Sequence, residues 1–156
     1  MEYSAIVNLH FKLEADIDVD WPAPLMGLIG GTAQWVFVRG PLASVTISAG
    51  NDLLSTTPEV LAKTVWGDIA GLFGKRKDNL PPYRVIKEKR ATLAQTPELE
   101  AHRPAAETAY SNLVLAGDWT NTGLPATIEG AIRSGYIAAK CVAKAKNIGP
   151  KEKVRA

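Results

Sequence analysis

The first long segment of the chain alternates between apolar and polar side chains. Apolar residues occupy every second position from Val7 to Leu13, and His10 is one of the polar residues between them. A period of two predicts a β-strand with one buried face. We therefore expect His10 on the polar face as a solvated side chain. Residues 16–24, which are acidic and contain proline, predict a loop.

Two further alternating runs cover residues 33–38 and 44–49, and Arg39-Gly40-Pro41 lies between them. Glycine and proline between two alternating runs are typical of a turn, so the segment predicts a β-hairpin. Residues 83–90 predict another strand, whose many charged side chains indicate a solvated face.

A helix is predicted after Thr56 and Thr57. Proline follows at position 58 and an acid at 59, which is typical of a first helical turn. Apolar residues then recur at helical spacing, and Gly74 is a plausible stop. The stripe consists of Leu61, Val65, Ile69 and Leu72. Residues 95–111, with Pro97 and Pro104 as breakers, predict an irregular connection.

The C-terminal third combines a continuous apolar run, an acid and a second helix. Residues 113–116 predict a strand buried on both faces, and Asp118 follows directly after it. Leu124-Pro125-Ala126-Thr127 predicts the helix start. Small residues form one narrow face of this helix, namely Ala131, Gly135, Ala138, Ala139 and Val142.

Composition and charge exclude several classes of protein. The 156 residues suffice for one ordinary domain, and 46% hydrophobic with 22% charged residues argues against wholesale disorder. A net charge of +2, without a basic stripe, disfavours a nucleic-acid partner. The N-terminus lacks the pattern of a signal peptide, and no apolar run is long enough for a membrane span. We predict a cytoplasmic protein and leave peripheral attachment to a membrane open.

Metal and thiol chemistry have little support in the sequence. The single cysteine, Cys141, excludes an internal disulfide and lies among alanines, where a small buried hydrophobe is its expected role. His102 has no histidine or acid cluster at metal-ligand spacing around it, so no metal site is predicted. The chain also contains neither G-x-G-x-x-G nor the Walker A pattern of nucleotide-binding loops.

Asp118 and the two helix glycines are the candidates for chemistry. From residue type alone, Asp118 fits a turn cap and a ligand-binding carboxylate equally well. Gly130 and Gly135 each cost about 1 kcal/mol of helix propensity relative to alanine, which indicates that a backbone or a flat ligand comes close. Close packing on a sheet explains these glycines as well as a ligand does.

A carboxylate at a strand end, followed by a loop and a helix N-terminus, suits a flavin. Ribityl hydroxyls can donate to Asp118, and the N1/C2=O edge, which gains negative charge on reduction, suits the positive end of a helix dipole. The residues from Leu115 to Gly135, LAGDWTNTGLPATIEGAIRSG, resemble the C-terminal flavin-binding motif of the amine oxidase and phytoene desaturase superfamily. Together with the preceding KEKRATLAQTPELEAHRP, they resemble the squalene-associated desaturases, the hydroxysqualene dehydroxylases.

The resemblance implies FAD as the cofactor and a set of residues that bind it. Gly117 and Asp118 would contact the ribityl and pyrophosphate region. Thr127 and Ile128 would offer backbone N–H groups to the pyrimidine edge of the flavin. The remaining implied residues shape the approach or lie close to the same pocket, and they are Pro125, Ala126 and Ala131.

The resemblance also implies an α+β fold, the C-terminal fragment of the FAD-linked amine oxidase and reductase fold. Residues 1–112 would form part of the substrate domain, with an antiparallel or mixed β-sheet and one of the two main helices. Residues 113–146 would form the last strand, loop and helix of the FAD-binding domain, and 147–156 a flexible tail. The Rossmann unit that holds the ADP half of FAD in this family has no counterpart in the sequence, so we expect an incomplete FAD site.

The leading functional hypothesis is part of an FAD-dependent oxidoreductase that acts on a long isoprenoid, with hydroxysqualene reduced to squalene. No catalytic acid or base is assigned. Trp35 and Phe37 are candidates for lining an apolar tunnel, although core packing is the commoner role of such residues. The alternatives are a carotenoid desaturase or amine oxidase fragment, and a non-catalytic fragment that dimerises through exposed strand edges. We expect the 156-residue chain by itself to be colourless, to bind FAD weakly and to be inactive.

Overall fold

The computed structural model describes residues 2–145. It contains five strands, β1 (Tyr3–Lys12), β2 (Leu25–Gly27), β3 (Trp35–Arg39), β4 (Leu42–Ile47) and β5 (Tyr83–Leu93). The α-helices are α1 (Pro58–Ile69), α2 (Pro97–Ala101) and α3 (Ile128–Ala145), and two short 3-10 helices cover Gly50–Leu53 and Ala70–Phe73. The predicted flexible tail, 147–156, lies outside the described residues.

The chain divides into two compact units. The first, called here the sheet unit, is Tyr3–Ala91, and the second, called the loop-helix unit, contains Glu2 and residues 92–145. The division falls within β5, whereas the sequence predicts a domain boundary at 112/113. That functional boundary stays a prediction. The coarse prediction of an α+β chain is confirmed.

The five strands form one sheet in the order β2-β3-β4-β1-β5. The β1/β4, β2/β3 and β3/β4 pairs are antiparallel. The predicted hairpin is confirmed as β3 and β4, joined at Gly40, whose positive φ of 56° suits a glycine in a tight turn. His10 lies on the polar face, as predicted, and its Nδ1 is 2.8 Å from the Ser44 hydroxyl on β4.

The core of the sheet unit lies between the apolar face of the sheet and α1. Val7, Leu9 and Phe11 are fully buried, as the alternation of β1 predicts. Trp66 of α1 packs on Phe11 with ring centroids 5.3 Å apart, and its indole N–H donates to the Arg76 carbonyl at 3.2 Å. A buried indole is therefore held by both packing and a hydrogen bond.

Trp35 and Phe37 do not have the commoner role of core packing, and their place in an apolar tunnel stays a prediction. Val36 is the buried residue of β3, and its register partner is Val45 of β4, which is also buried. Side chains alternate between the faces of a strand, so Trp35 and Phe37 lie on the opposite face, where they are 46% and 41% exposed. Residues 35–38 are all apolar, so the sequence does not say which face of β3 is buried. The pairing with β4 decides it.

Helix α1 begins where the sequence predicts but ends at Ile69, and a 3-10 turn covers the residues up to the predicted stop at Gly74. The Thr57 hydroxyl accepts the Val60 N–H at 3.4 Å, Pro58 is the first helical residue, and Gly74 ends the following 3-10 turn with φ 61°. The charged strand β5 is mainly exposed, but Lys87 is an exception to the predicted solvated face. Its ammonium donates to the carbonyls of Leu54 and Thr56 at 2.8 and 2.5 Å, just before α1.

Two predictions for the loop-helix unit are wrong. The connection 95–111 contains the short helix α2, because Thr96 caps the Leu99 N–H and Pro97 occupies the first turn. Residues 113–116 form no strand. Their contacts with segment 106–107 are an isolated Glu107/Val114 bridge and a 2.8 Å bond from Leu115 N–H to the Ala106 carbonyl. A strand needs neighbouring strands for its backbone hydrogen bonds, and it is buried on both faces only when other elements cover both faces of its sheet.

Within residues 2–145, no helix combines the length and apolar character needed to cross a membrane.

Candidate functional site

The predicted site begins with a tight turn at Gly117. Gly117 has φ 148°, and its carbonyl accepts both the backbone N–H of Thr120, at 3.0 Å, and the Thr120 hydroxyl, at 2.8 Å. A Cβ at position 117 would overlap the indole nitrogen of Trp119. Glycine is therefore required by both the backbone angle and the neighbouring ring. Thr120, buried to 1% exposure, closes the turn.

Asp118 takes no part in closing this turn. Its backbone carbonyl accepts a hydrogen bond from Arg103, whereas its partly exposed carboxylate has no hydrogen-bond or ion-pair partner among the described residues. The structural role that a turn-capping aspartate would have is filled by Thr120. The carboxylate is thus available to accept hydrogen bonds from a ligand.

Ser134 ties the turn to helix α3. Its buried hydroxyl accepts the Gly117 N–H at 2.8 Å and donates to the Ala131 carbonyl at 2.7 Å. A serine hydroxyl that donates within its own helix keeps its acceptor lone pairs, and the Gly117 N–H binds to one of them. The turn and the helix are consequently held together by one side chain, which the sequence does not single out.

Arg103 is the second residue that sequence reasoning missed. Its side chain is 2% exposed and donates to the carbonyls of Asp118, Thr120 and Leu124 at 2.7, 2.6 and 2.7 Å. The same guanidinium pairs with the Glu100 carboxylate at 2.9 and 3.0 Å. The sequence feature that could have indicated Arg103 is its position directly before Pro104, in a polar segment that offers no apolar core for its side chain.

The start of α3 lies three or four residues later than the sequence predicts. The helix begins at Ile128, and the Thr127 hydroxyl caps it by accepting the Gly130 N–H at 3.2 Å. Leu124-Pro125 form the approach instead, because the Leu124 carbonyl is bound by Arg103. The N–H groups of the first turn, including those of Ile128 and Glu129, have no partner within the helix.

The remaining predicted site residues differ in exposure. Ala126 is 5% exposed and packs inside the unit, whereas Pro125, Thr127 and Ala131 are exposed. Ile128 is also exposed, at 83%. The structure thus brings Gly117 and Asp118 into one turn and Thr127 and Ile128 to the start of α3, and their contacts with a cofactor stay predictions.

The two glycines of α3 have different surroundings. A Cβ on Gly130 would lie 2.6 Å from the Pro125 carbonyl oxygen, whereas nothing lies within 4 Å of a Cβ on Gly135. The packed face of the helix therefore contains Gly130 and Ser134. The predicted small-residue face is exposed at Ala131, Gly135, Ala139 and Val142, and partly buried at Ala138.

Metal and thiol chemistry remain without support at this site. Within the described part of the chain, no three histidine, cysteine or acidic side chains are grouped as a metal site. Cys141 is partly buried, and that burial, with a smaller contribution from a hydrogen bond to Glu107, raises the pKa of its thiol. A raised pKa disfavours the thiolate that nucleophilic chemistry needs.

Similar proteins include several bacterial enzymes of one name. The chain is 49% identical to the hydroxysqualene dehydroxylase of Rhodopseudomonas palustris over 141 residues, which are 90% of this chain and 33% of the relative. It is 47% identical to that of Zymomonas mobilis, over 88% of this chain and 32% of the relative. A zeta-carotene desaturase of Synechocystis is more distant, at 29% identity over 67% of this chain and 22% of the relative. The chain thus spans about a third of the length of the two dehydroxylases.

The family model of the flavin containing amine oxidoreductases matches residues 36–143. This range includes most of the sheet unit, the Arg103 segment, the Gly117 turn and nearly all of α3. The resemblance read from the residues between Leu115 and Gly135 is therefore confirmed, and the chain belongs to the family of flavin containing amine oxidoreductases.

Proposed function

We propose that the chain is part of an FAD-dependent oxidoreductase that acts on a long isoprenoid, reducing hydroxysqualene to squalene. The observation that supports FAD as the cofactor is the Asp118 carboxylate. It has no partner among the described residues, although Thr120 and Arg103 close its turn. The similarity to hydroxysqualene dehydroxylases at 47–49% identity supports the substrate. Because the chain covers only about a third of these relatives, we propose that residues outside 1–156 hold the ADP half of the cofactor.

The residues present fit a flavin nucleotide chemically. A carboxylate accepts hydrogen bonds from ribityl hydroxyls, and first-turn N–H groups suit the electron-rich pyrimidine edge. The cap of α3 narrows the set of donors: because the Gly130 N–H is bound by the Thr127 hydroxyl, the first-turn N–H groups left for a ligand are those of Ile128 and Glu129, next to the predicted N–H of Thr127. Pro125 and Ala126 would shape the approach, and Ala131 would lie one turn further along.

In the proposed reaction, the C–O bond to the hydroxyl group of the substrate breaks and a C–H bond forms in its place. It consumes two electrons and two protons and releases water. When bound, reduced flavin supplies the two electrons. The chain's own part is to bind and orient: Gly117 and Asp118 hold the ribityl region, while the dipole of α3 stabilises negative charge near its N-terminus. No residue of this chain is assigned as the acid that protonates the leaving hydroxyl.

The test is flavin binding by the protein expressed as its gene encodes it. We expect a yellow holoprotein, and we expect Asp118→Ala to weaken FAD binding roughly tenfold, as for the loss of one or two hydrogen bonds to a charged group. Asp52→Ala, an exposed carboxylate of the sheet unit, is the matched control and should leave FAD affinity unchanged. Unchanged flavin content with a lowered melting temperature would make Asp118 a structural residue.

The substrate is tested separately under anaerobic conditions with the reduced holoprotein. We expect hydroxysqualene to be converted to squalene and to reoxidise the flavin, with phytoene and simple amines as comparison compounds. The carotenoid alternative is supported by the 29% identity to a zeta-carotene desaturase. Turnover of a carotene, with none of hydroxysqualene, would select that alternative.

A second candidate is a non-catalytic role through self-association. Helix α3 exposes Ile128, Ile132 and Tyr136 at helical spacing, and β2 and β5 are the outer strands of the sheet. For residues 1–156 expressed alone, we expect a colourless chain that binds FAD weakly and has no activity. A stable dimer by light scattering, with no flavin in the protein encoded by the gene, would favour the non-catalytic role.

A further inference from the structure

We propose that Arg103 is a positioning residue, which sets the conformation of residues 118–124 so that Asp118 and the start of α3 can bind the flavin nucleotide. The inference rests on the proposed function. The Arg103 side chain is only 2% exposed and its guanidinium donates to loop carbonyls, so we assign it an action through the loop and not on the cofactor directly.

The contacts of Arg103 are spaced along the whole loop. One terminal nitrogen, Nη2, donates to the carbonyls of Asp118 and Thr120, and the other, Nη1, donates to the carbonyl of Leu124. The three acceptors span seven residues of a segment without helix or strand. A planar guanidinium can hold them in one geometry because its donors are fixed in a fork.

The hydrogen bonds from Arg103 fix the orientation of the loop backbone. Carbonyls that point inward to Arg103 hold the peptide planes of the loop in one orientation. The Asp118 carbonyl is among them, so the backbone that carries the Asp118 side chain is held at its own residue. Leu124, the last acceptor, is three residues before the Thr127 cap of α3. Both ends of the loop are thus anchored where the proposed cofactor contacts begin.

The segment around Arg103 supports the same anchor. The Asn121 N–H donates to the Pro104 carbonyl at 2.8 Å, and the Leu115 N–H donates to the Ala106 carbonyl at 2.8 Å. Glu100 of α2 pairs with the guanidinium through the nitrogen that also binds Leu124, and its own side chain is 49% exposed. The carboxylate therefore orients the arginine while remaining in contact with solvent.

The Nε atom of Arg103, which is unpaired within residues 2–145, indicates that the planar donors of its two terminal nitrogens are what this position requires. Among the described residues, this buried nitrogen has no hydrogen-bond partner, although the two terminal nitrogens have five contacts between them. A lysine would leave no such buried donor, but its single ammonium cannot reach the three carbonyls in the same planar arrangement. The loop geometry explains why arginine is used.

The experiment compares Arg103→Met with Arg103→Lys in the protein as its gene encodes it. Arg84→Met, which removes an exposed arginine of β5, is the matched control. FAD dissociation constants are measured by flavin fluorescence, and hydrogen exchange is followed peptide by peptide without cofactor. We expect Arg103→Met to weaken FAD binding roughly 10-fold to 100-fold, the range for losing several charge-assisted hydrogen bonds. Exchange should accelerate in 117–124 and stay unchanged in 3–91, and Arg103→Lys should be intermediate.

Chemical rescue keeps the proposal testable if Arg103→Met folds poorly. Ethylguanidinium added to Arg103→Ala should restore both FAD affinity and slow exchange of 117–124, whereas ethylammonium should restore less. Affinity within twofold of wild type in Arg103→Met would overturn the positioning role. So would faster exchange throughout 92–145, which would mark a general stabilising residue. A wild-type protein that binds no FAD would instead overturn the proposed function, and the inference with it.

Discussion

The Ser134 hydroxyl on α3 accepts the Gly117 N–H at 2.8 Å, so that one buried side chain joins the turn of the proposed cofactor site to its helix. We expect Ser134→Ala to leave the Gly117 N–H without an acceptor and to cost about 1–3 kcal/mol. Hydrogen exchange of the Gly117 amide checks this directly. Exchange as slow as in the wild type would mean that the serine is not the acceptor in solution.

Gly130 and Gly135 form a matched pair of substitutions within α3. Gly130→Ala places a Cβ 2.6 Å from the Pro125 carbonyl, so we expect it to destabilise the loop-helix unit and shift the start of the helix. Gly135→Ala meets nothing within 4 Å and should stabilise the helix by up to about 1 kcal/mol. Urea unfolding followed by circular dichroism compares the two. Equal effects of both substitutions would contradict the packing described for Gly130.

Asp68 of α1 stabilises a loop of the sheet unit. Its carboxylate accepts the N–H groups of Thr32 and Ala33 at 2.7 and 3.0 Å. We expect Asp68→Ala to lower the free energy of unfolding by about 1–3 kcal/mol, because the Ala33 N–H belongs to a buried residue. Fluorescence of the buried Trp66 reports the unfolding. Asp52→Ala is the control, and an equal loss of stability there would argue against a specific role of Asp68.

Cys141 should react slowly with iodoacetamide near neutral pH. Burial raises the pKa of its thiol, and the thiolate is the reactive species, so less of it is present than for an ordinary cysteine. The alkylation rate should therefore continue to rise with pH beyond the ordinary thiol pKa. Mass spectrometry measures the rate, and the same chain in urea is the reference. A folded chain that reacts as fast as the unfolded one would contradict this.

Local sequence signals predict much of the sheet unit correctly. Local signals encode the strict alternation of β1, the turn at Gly40 and the Thr57-Pro58 start of α1, and each signal involves residues that are close together along the chain. Such signals depend on side-chain period, backbone angles and capping, which act locally. The start of α3 is misplaced because Pro125 is compatible with a first turn, although the Thr127 hydroxyl provides the actual cap.

The sequence by itself determined the family, the Gly117-Asp118 motif and the elements whose period or caps are local. Only the tertiary structure decided that Val36 and not Trp35 is buried, because the pairing with β4 selects the face. It likewise decided the roles of Arg103 and Ser134, whose partners in the loop and the turn lie 15 to 21 and 17 residues away along the chain. Their identities as an arginine in a connection and a serine in a helix are ordinary. Their function arises from hydrogen bonds that no local pattern encodes.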